Sequence, residues 1–385
     1  GRATDLLPED DQRRPPARLE LVKALGEQME LERALTLLEE VAVEAREAGD
    51  ERMLARTKLA QLDLDTQVAP DRGIAEALVE VQEVLADLER IGDEEGALWA
   101  LRLIGAFTGW LGRTAEAQAH WRRAIERADG KDSRFVNDVL GWMLLNTWWG
   151  PMPIDEAIRL ADEVVATTSS KRLEGYAQVV RGVAEGVDGR LDEGREQLAA
   201  GRALLRDLGD LISSAGLAAA AAELELAAGN PERAYRACAE GAETLASSAA
   251  TGYLTTVRSL QAFAALDLGR DEEALRLTEE ARSLAAEGDV DPRSRDCLIR
   301  ARVAAKHGDF AEADGLLAVA RNMIEPTDFV HLKIDLAFSW AEVARLAGRR
   351  EEEGAAVEEM LGLAEAKGNT LVARRARAAL ASLDS

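Results

Sequence analysis

"LQAFAALDLGRDEEALRLTEEARS", Leu260 to Ser283, holds two apolar-periodic runs of helical length on either side of a glycine, Gly269. A glycine between two such runs can take the left-handed backbone that ends one helix before the next begins. Small residues stand seven places before it (Ala262), five after it (Ala274) and twelve after it (Ala281). Two helices approach closely only where their crossing residues are small. The stretch therefore reads as a tightly packed helical hairpin.

The same arrangement recurs along the chain. Gly112, Gly150, Gly189, Gly229, Gly269, Gly308 and Gly348 follow one another at intervals of 38, 39, 40, 40, 39 and 40 residues. The three small positions are all filled around five of them, those at Gly112, Gly189, Gly229, Gly269 and Gly308. Around Gly189, for example, they are Gly182, Gly194 and Gly201. The last repeat puts Glu353 and Met360 where small residues are expected, and the repeat at Gly150 needs two inserted residues to bring Ala157 into register. Gly-Asp or Gly-Asn pairs at Gly49, Gly92, Gly209, Gly288 and Gly368 separate successive hairpins, their Asp or Asn serving as N-caps. "ELERALTLLEEVAVEAREAGD", with Ala34, and "RGIAEALVEVQEVLADLERIGD" extend the series toward the N-terminus. A period of this kind specifies a stacked-hairpin solenoid. About nine hairpins over 14–367 are expected, with a linker over 1–13 and a capping helix over 368–385.

Composition agrees. The apolar fraction of 47% supports a core, and no alternating strand pattern is present. Acidic residues outnumber basic ones 71 to 47, for a net charge of −24, which repels phosphate backbones. The charges are interspersed along helix faces. Two cysteines (Cys238, Cys297) and three histidines (His120, His307, His331), scattered, provide no disulfide framework, metal-ligand spacing or catalytic triad. A reduced, cytoplasmic setting and no cofactor are expected. The alanine-rich run Ala215–Gly229 carries two glutamates and reads as a packed helix, not a membrane span. The chain begins Gly-Arg with its first methionine at Met29, which reads as a cut inside a longer protein or a tag remnant.

The small-residue register and turn glycine resemble the tetratricopeptide repeat, with a period near 40 rather than roughly 34. "LLPEDD" near the start, "ALWALRLIGAFTGWLGRTAEAQAHWRRAIERA", "WWGPMPIDEAI" and the closing "PTDFVHLKIDLAFSWAEVARLAGRREEEGAAVEEMLGLAEAKGNTLVARRARAAL" resemble the C-terminal repeat region of bacterial signalling proteins. In these, a class III adenylate/guanylate cyclase domain precedes a STAND ATPase domain and the repeats follow. Related arrays also follow the ATPase domains of LuxR-type activators. The resemblance implies an all-α, right-handed solenoid acting as a non-catalytic sensor or scaffold. It would bind a protein, a peptide or a small-molecule inducer and bias an upstream ATPase. A free-standing adaptor is the alternative. The chain has no G-x-x-x-x-G-K-[ST] loop, so ATPase or cyclase chemistry would reside upstream.

Six of the seven tryptophans fall between Trp99 and Trp149. They make either an aromatic binding region or a large-residue core. In the repeat template, residues thirteen, ten, six, three and two places before each turn glycine face the concave groove. That register selects Trp99, Arg102 and Trp110, then Trp142, Asn146 and Trp149 with the two-residue shift, and Tyr176 in the next repeat. In the paired Trp148-Trp149, one ring is expected to pack and the other to point elsewhere. Arg295, Arg302 and Lys306 form a cationic strip in the same register. It would either clamp a carboxylate or pair with neighbouring acids such as Asp267 and Asp335.

Overall fold

The computed structural model describes residues 8, 11, 13–27, 30–68, 73–128, 133–248 and 251–383. All of its regular structure is helical, and the helices pair in sequence. The first three hairpins are α1 (Arg14–Glu27) with α2 (Leu31–Ala48), α3 (Glu51–Val68) with α4 (Ile74–Ile91), and α5 (Glu94–Trp110) with α6 (Thr114–Ala128). Next come α7 (Ser133–Trp149) with α8 (Ile154–Thr167), and α9 (Lys171–Val187) with α10 (Leu191–Asp207). The sixth hairpin sets a helix broken at Leu217, α11 (Leu211–Gly216) and α12 (Ala218–Ala227), against α13 (Pro231–Ala246). The last three are α14 (Thr251–Asp267) with α15 (Asp271–Leu284), α16 (Val290–Lys306) with α17 (Phe310–Ile324), and α18 (Val330–Leu346) with α19 (Arg350–Lys367). A final helix, α20 (Thr370–Leu383), closes the end. Among the described residues the array is a right-handed solenoid of nine TPR-like hairpins with a capping helix. No described helix is long and apolar enough to cross a membrane. The expected linker over 1–13 lies outside the described residues apart from Pro8, Asp11 and Arg13.

The turn chemistry follows from single residues. At Gly269, φ is +74°, its N–H donates to Leu266 O at 3.0 Å, and the Arg270 N–H reaches Ala265 O at 2.9 Å. That pair of bonds satisfies carbonyls that the end of α14 leaves orphaned. Gly112, Gly189, Gly229, Gly308 and Gly348 share the left-handed backbone, as do the five glycines between hairpins. Asp50, Asp210 and Asn369, each following one of those, accept a backbone N–H three residues on, at 3.0, 3.2 and 3.1 Å.

Gly150 is the exception among the seven. Its backbone is not left-handed; α7 ends there because Pro151 and Pro153 follow. Glycine is required for space instead, since a Cβ would stand 2.2 Å from Thr114 Oγ1.

The small positions are where the helices touch. Ala262, Ala274 and Ala281 are wholly buried. In the α9–α10 hairpin the contact is backbone on backbone: a Cβ on Gly182 would meet Leu198 N at 2.5 Å and Gly194 O at 2.6 Å. In α19, Ala356 and Ala364 are buried, while Met360, at a nominally small position, turns toward the interior of the superhelix.

After about five and a half hairpins the superhelix returns upon itself. Ile74 N–H donates to Glu287 O at 3.3 Å, 213 residues away. Asp328 caps the start of α6, accepting from Thr114 N, Thr114 Oγ1 and Ala115 N at 2.8, 2.7 and 2.8 Å. Lys367, at the end of α19, donates to the carbonyls of Thr147, Gly150 and Met152 at 2.6, 2.6 and 2.7 Å. One ammonium thereby closes the C-terminal end of α7, where unpaired carbonyls and the helix dipole favour a cation.

Gly182→Ala should destabilise the protein by about 1–3 kcal/mol, because backbone atoms stand where the methyl must go. Gly315→Ala, in an exposed stretch of α17 with open space around it, should stabilise by about 0.5–1 kcal/mol. Chemical denaturation of the two variants beside the parent checks both signs.

Candidate binding cavity

The A helices α7, α9, α12, α14, α16 and α18 line the inside of the superhelix, and the closure over α7 roofs part of that channel. The result is a cavity of about 140 Å³. Its walls are apolar on most sides: Val180 and Val183 from α9, Leu224 from α12, Leu260 and Phe263 from α14, Ile334 and Phe338 from α18, and Met360 from α19. Trp148, Glu223, Asp267, Arg295, His331, Asp335, Lys367 and Arg375 supply its polar surface.

The floor is an ion cluster. Arg295 is only 1% exposed. Its Nη2 donates to Glu223 at 3.1 Å, its Nη1 to Asp291 at 3.0 Å and its Nε to Asp335 at 3.1 Å. Burial opposes its charge, but the three carboxylates outweigh that and hold the guanidinium well above its ordinary range. Burial would raise Asp291, yet Arg295 and His331 carry it net downward. Asp335 goes the other way, burial pushing its carboxyl up despite Arg295. Glu223 also accepts from the indole Nε1 of Trp148. His331 sets Nε2 3.1 Å from Asp291 Oδ2 and Nδ1 3.3 Å from Trp149 O. It thus links α18, α16 and the end of α7. Lys367 lies in the roof, where burial pushes its ammonium down to about 8 against the pull of Glu223 and Asp328.

The residues chosen from the sequence divide between this cavity and other places. Arg295 is in the floor, engaged by acids on every donor nitrogen; Asp335, foreseen as its partner, is one of them. Arg302, 5% exposed, pairs with Asp267 at 2.6 Å and lies between the rings of Phe263 and Phe338, 5.8 and 4.9 Å from their centroids. Lys306 lies farther out, on Asp271 at 2.6 Å. The strip is neutralised within the fold rather than left open for a carboxylate, because the acids of neighbouring A helices stand in the same register.

Trp99, Arg102, Trp110, Trp142 and Asn146 gather instead at the junction of α5, α6 and α7. Trp99 is 8% exposed, with Lys23 Nζ 4.0 Å from its ring centroid. Arg102 pairs with Asp63 at 2.7 Å and Asp138 at 3.7 Å. Trp110 and Trp142 meet edge to face at 6.1 Å, half-buried. Asn146 is buried against Gly109, its Oδ1 unpartnered. Tyr176 is buried too; its hydroxyl donates to Ser213 Oγ at 2.8 Å, and burial drives its phenol far up.

The paired Trp148 and Trp149 stack at 5.4 Å. The ring lining the cavity is that of Trp148, not the Trp149 of the template. Trp149 packs with the core of α16–α18, which the returning superhelix lays over the end of α7. Of the polar wall, Glu223 carried a signal in the sequence, an acid six places before Gly229 in an alanine-rich helix. Lys367 carried none, since its partners lie 215 to 220 residues away.

No protein-family model matches the chain, and no curated protein sequence matches it. Solved structures do. A Rap protein complexed with competence and sporulation factor aligns with TM-score 0.64 at 12% identity, over 97% of this chain and all of that one. The apo form of the quorum sensor NprR from B. thuringiensis aligns over 96% of this chain and 98% of its own at 12% identity. Its TM-score is 0.45. The first likeness supports the fold: the chain is similar to a TPR-type helical repeat protein along its whole length.

Arg295→Met should cost about 3–5 kcal/mol at pH 7, since three carboxylates lose their cation. Without the guanidinium their folded-state pKa values rise above the unfolded ones, so the variant gains protons on folding and recovers as pH falls. The stability gap from the parent should narrow from pH 7 toward pH 4, measured by denaturant melts at each pH. Lys367→Met should cost about 2–4 kcal/mol through three unpaired carbonyls. Hydrogen exchange should speed up at the amides of α20 and at the α7–α8 turn before those of α9–α10.

Proposed function

We propose that the chain is a non-catalytic binding scaffold that receives a peptide or protein segment on the inner face of its superhelix. The observation that carries this reading is the cavity itself. It exists only where the C-terminal hairpins close over α7, so an occupant touches both halves of the array at once. An occupant that fits the closed turn better than an open one would stabilise the closed turn. Such coupling suits a sensor.

The sequence resemblance supports a place for it as the sensor arm of a larger signalling protein, biasing a STAND ATPase and a nucleotide cyclase. The Rap structure, similar in fold and complexed with a factor, supports a bound partner on this architecture. The net charge of −24 argues against nucleic acid as that partner. The aromatic group around Trp110 and Trp142, half-buried on α5 and α7, is a second surface of the same scaffold where a protein partner would seat.

Selection of a displayed library of twelve-residue peptides, followed by fluorescence polarisation of the winners, tests the reading. Micromolar or tighter binding is expected, with loss of at least tenfold in Ile334→Trp, which fills the cavity from a half-buried position. Failure to select any peptide, or winners indifferent to that substitution, would remove the cavity as the binding site.

A further inference from the structure

Most polar groups on the cavity wall are engaged within the fold. Glu223 spends one oxygen on Arg295 and the other on Trp148. Arg295 spends all three nitrogens. Lys367 has three protons and three carbonyls. Both nitrogens of His331 face acceptors. Arg375 stands exposed at the rim, its Nη1 on the carbonyls of Leu226 and Ala227.

Two carboxylates are only half used. Asp335 meets Arg295 through Oδ2 alone, and Asp267 meets Arg302 through Oδ1 alone. Both line the cavity, with side chains 27% and 22% exposed. Asp335 Oδ1 and Asp267 Oδ2 therefore remain as acceptors without a donor among the described residues. An ionised carboxylate can only accept, so the group that satisfies these oxygens is a donor, and a cation does so most strongly.

Size sets the other half of the ligand. A dry apolar cavity of roughly 150 Å³ accepts one benzene ring. This one, at about 140 Å³, has walls from Val183, Leu224, Phe263, Ile334, Phe338 and Met360.

We propose that the cavity binds a protonated amine carried on an apolar group about the size of one ring, with the ammonium on the open oxygens of Asp335 and Asp267. This rests on reading the cavity as the binding site. A small arylalkylamine and the N-terminal residue of a peptide share this chemistry.

Titration calorimetry at pH 7 with the whole chain tests it, using phenethylamine, 2-phenylethanol and phenylacetate as matched probes. The amine should bind at least tenfold more tightly than the alcohol, and phenylacetate should not bind. Asp335→Asn should bring amine and alcohol to within about threefold while the alcohol is unaffected; Asp267→Asn serves the same readout should the first variant fail to fold. Ile334→Trp should abolish both. Phe-Gly-Gly amide beside its N-acetyl form separates the sources: tighter binding of the free tripeptide than of phenethylamine, lost on acetylation, assigns a peptide N-terminus, and the reverse order assigns a small amine. Equal affinity of amine and alcohol, preference for phenylacetate, or no binding of either phenethylamine or the tripeptide overturns the proposal. If library peptides still bind and Ile334→Trp still blocks them, only the amine assignment falls and the binding scaffold stands.

Discussion

The close approach of two helices at a residue without a side chain is the constraint from which the rest of this molecule follows. Where Gly182 and Gly194 cross, backbone lies on backbone, and no larger residue fits. Where alanine takes the place of glycine, as at Ala262 and Ala274, it is buried. Repeating that crossing with nearly constant spacing turns each hairpin by a similar small rotation relative to the last. The accumulated rotation brings the ninth hairpin back over the third and fourth, and only then does an interior exist to be lined and roofed.

That interior is organised by position in the A helices. The places six, thirteen and two before a turn glycine face inward, and they hold Glu223, Arg295, Asp335 and Asp267. Because neighbouring A helices present the same register to the same axis, charges placed there meet one another before they meet solvent. One guanidinium shared by three carboxylates is the outcome. Its net worth to stability is modest compared with the cost of breaking it, which makes it a device for holding geometry.

This also explains what could be read in advance. The hairpin and its small positions are local features, spread over at most twenty residues and legible around Gly269 alone, and the period repeats them every 38 to 40 residues. The inward register was legible as well, through Arg295 and its partner Asp335. What the local pattern could not disclose was the return of the superhelix. Gly150 shares the spacing of the left-handed turn glycines, yet its need for glycine comes from Thr114, a contact between repeats. The groove register selects Trp149, yet the returning α16–α18 layer packs against it and leaves Trp148 at the cavity. Lys367 sits in a charged helix, and nothing near it in the chain hints at carbonyls two hundred residues earlier.

The axial seam has a consequence for the mechanics of the array. Across it, an ammonium meets carbonyls, a carboxylate meets amides and an imidazole meets a carbonyl, while Trp149, Leu371, Leu111 and Phe329 supply apolar contact. Opening the seam therefore exposes a few large side chains, whereas melting any hairpin exposes a full apolar layer and carries the larger heat-capacity change. The superhelix is softer along its axis than within a hairpin: a spring that can lengthen before any hairpin unfolds.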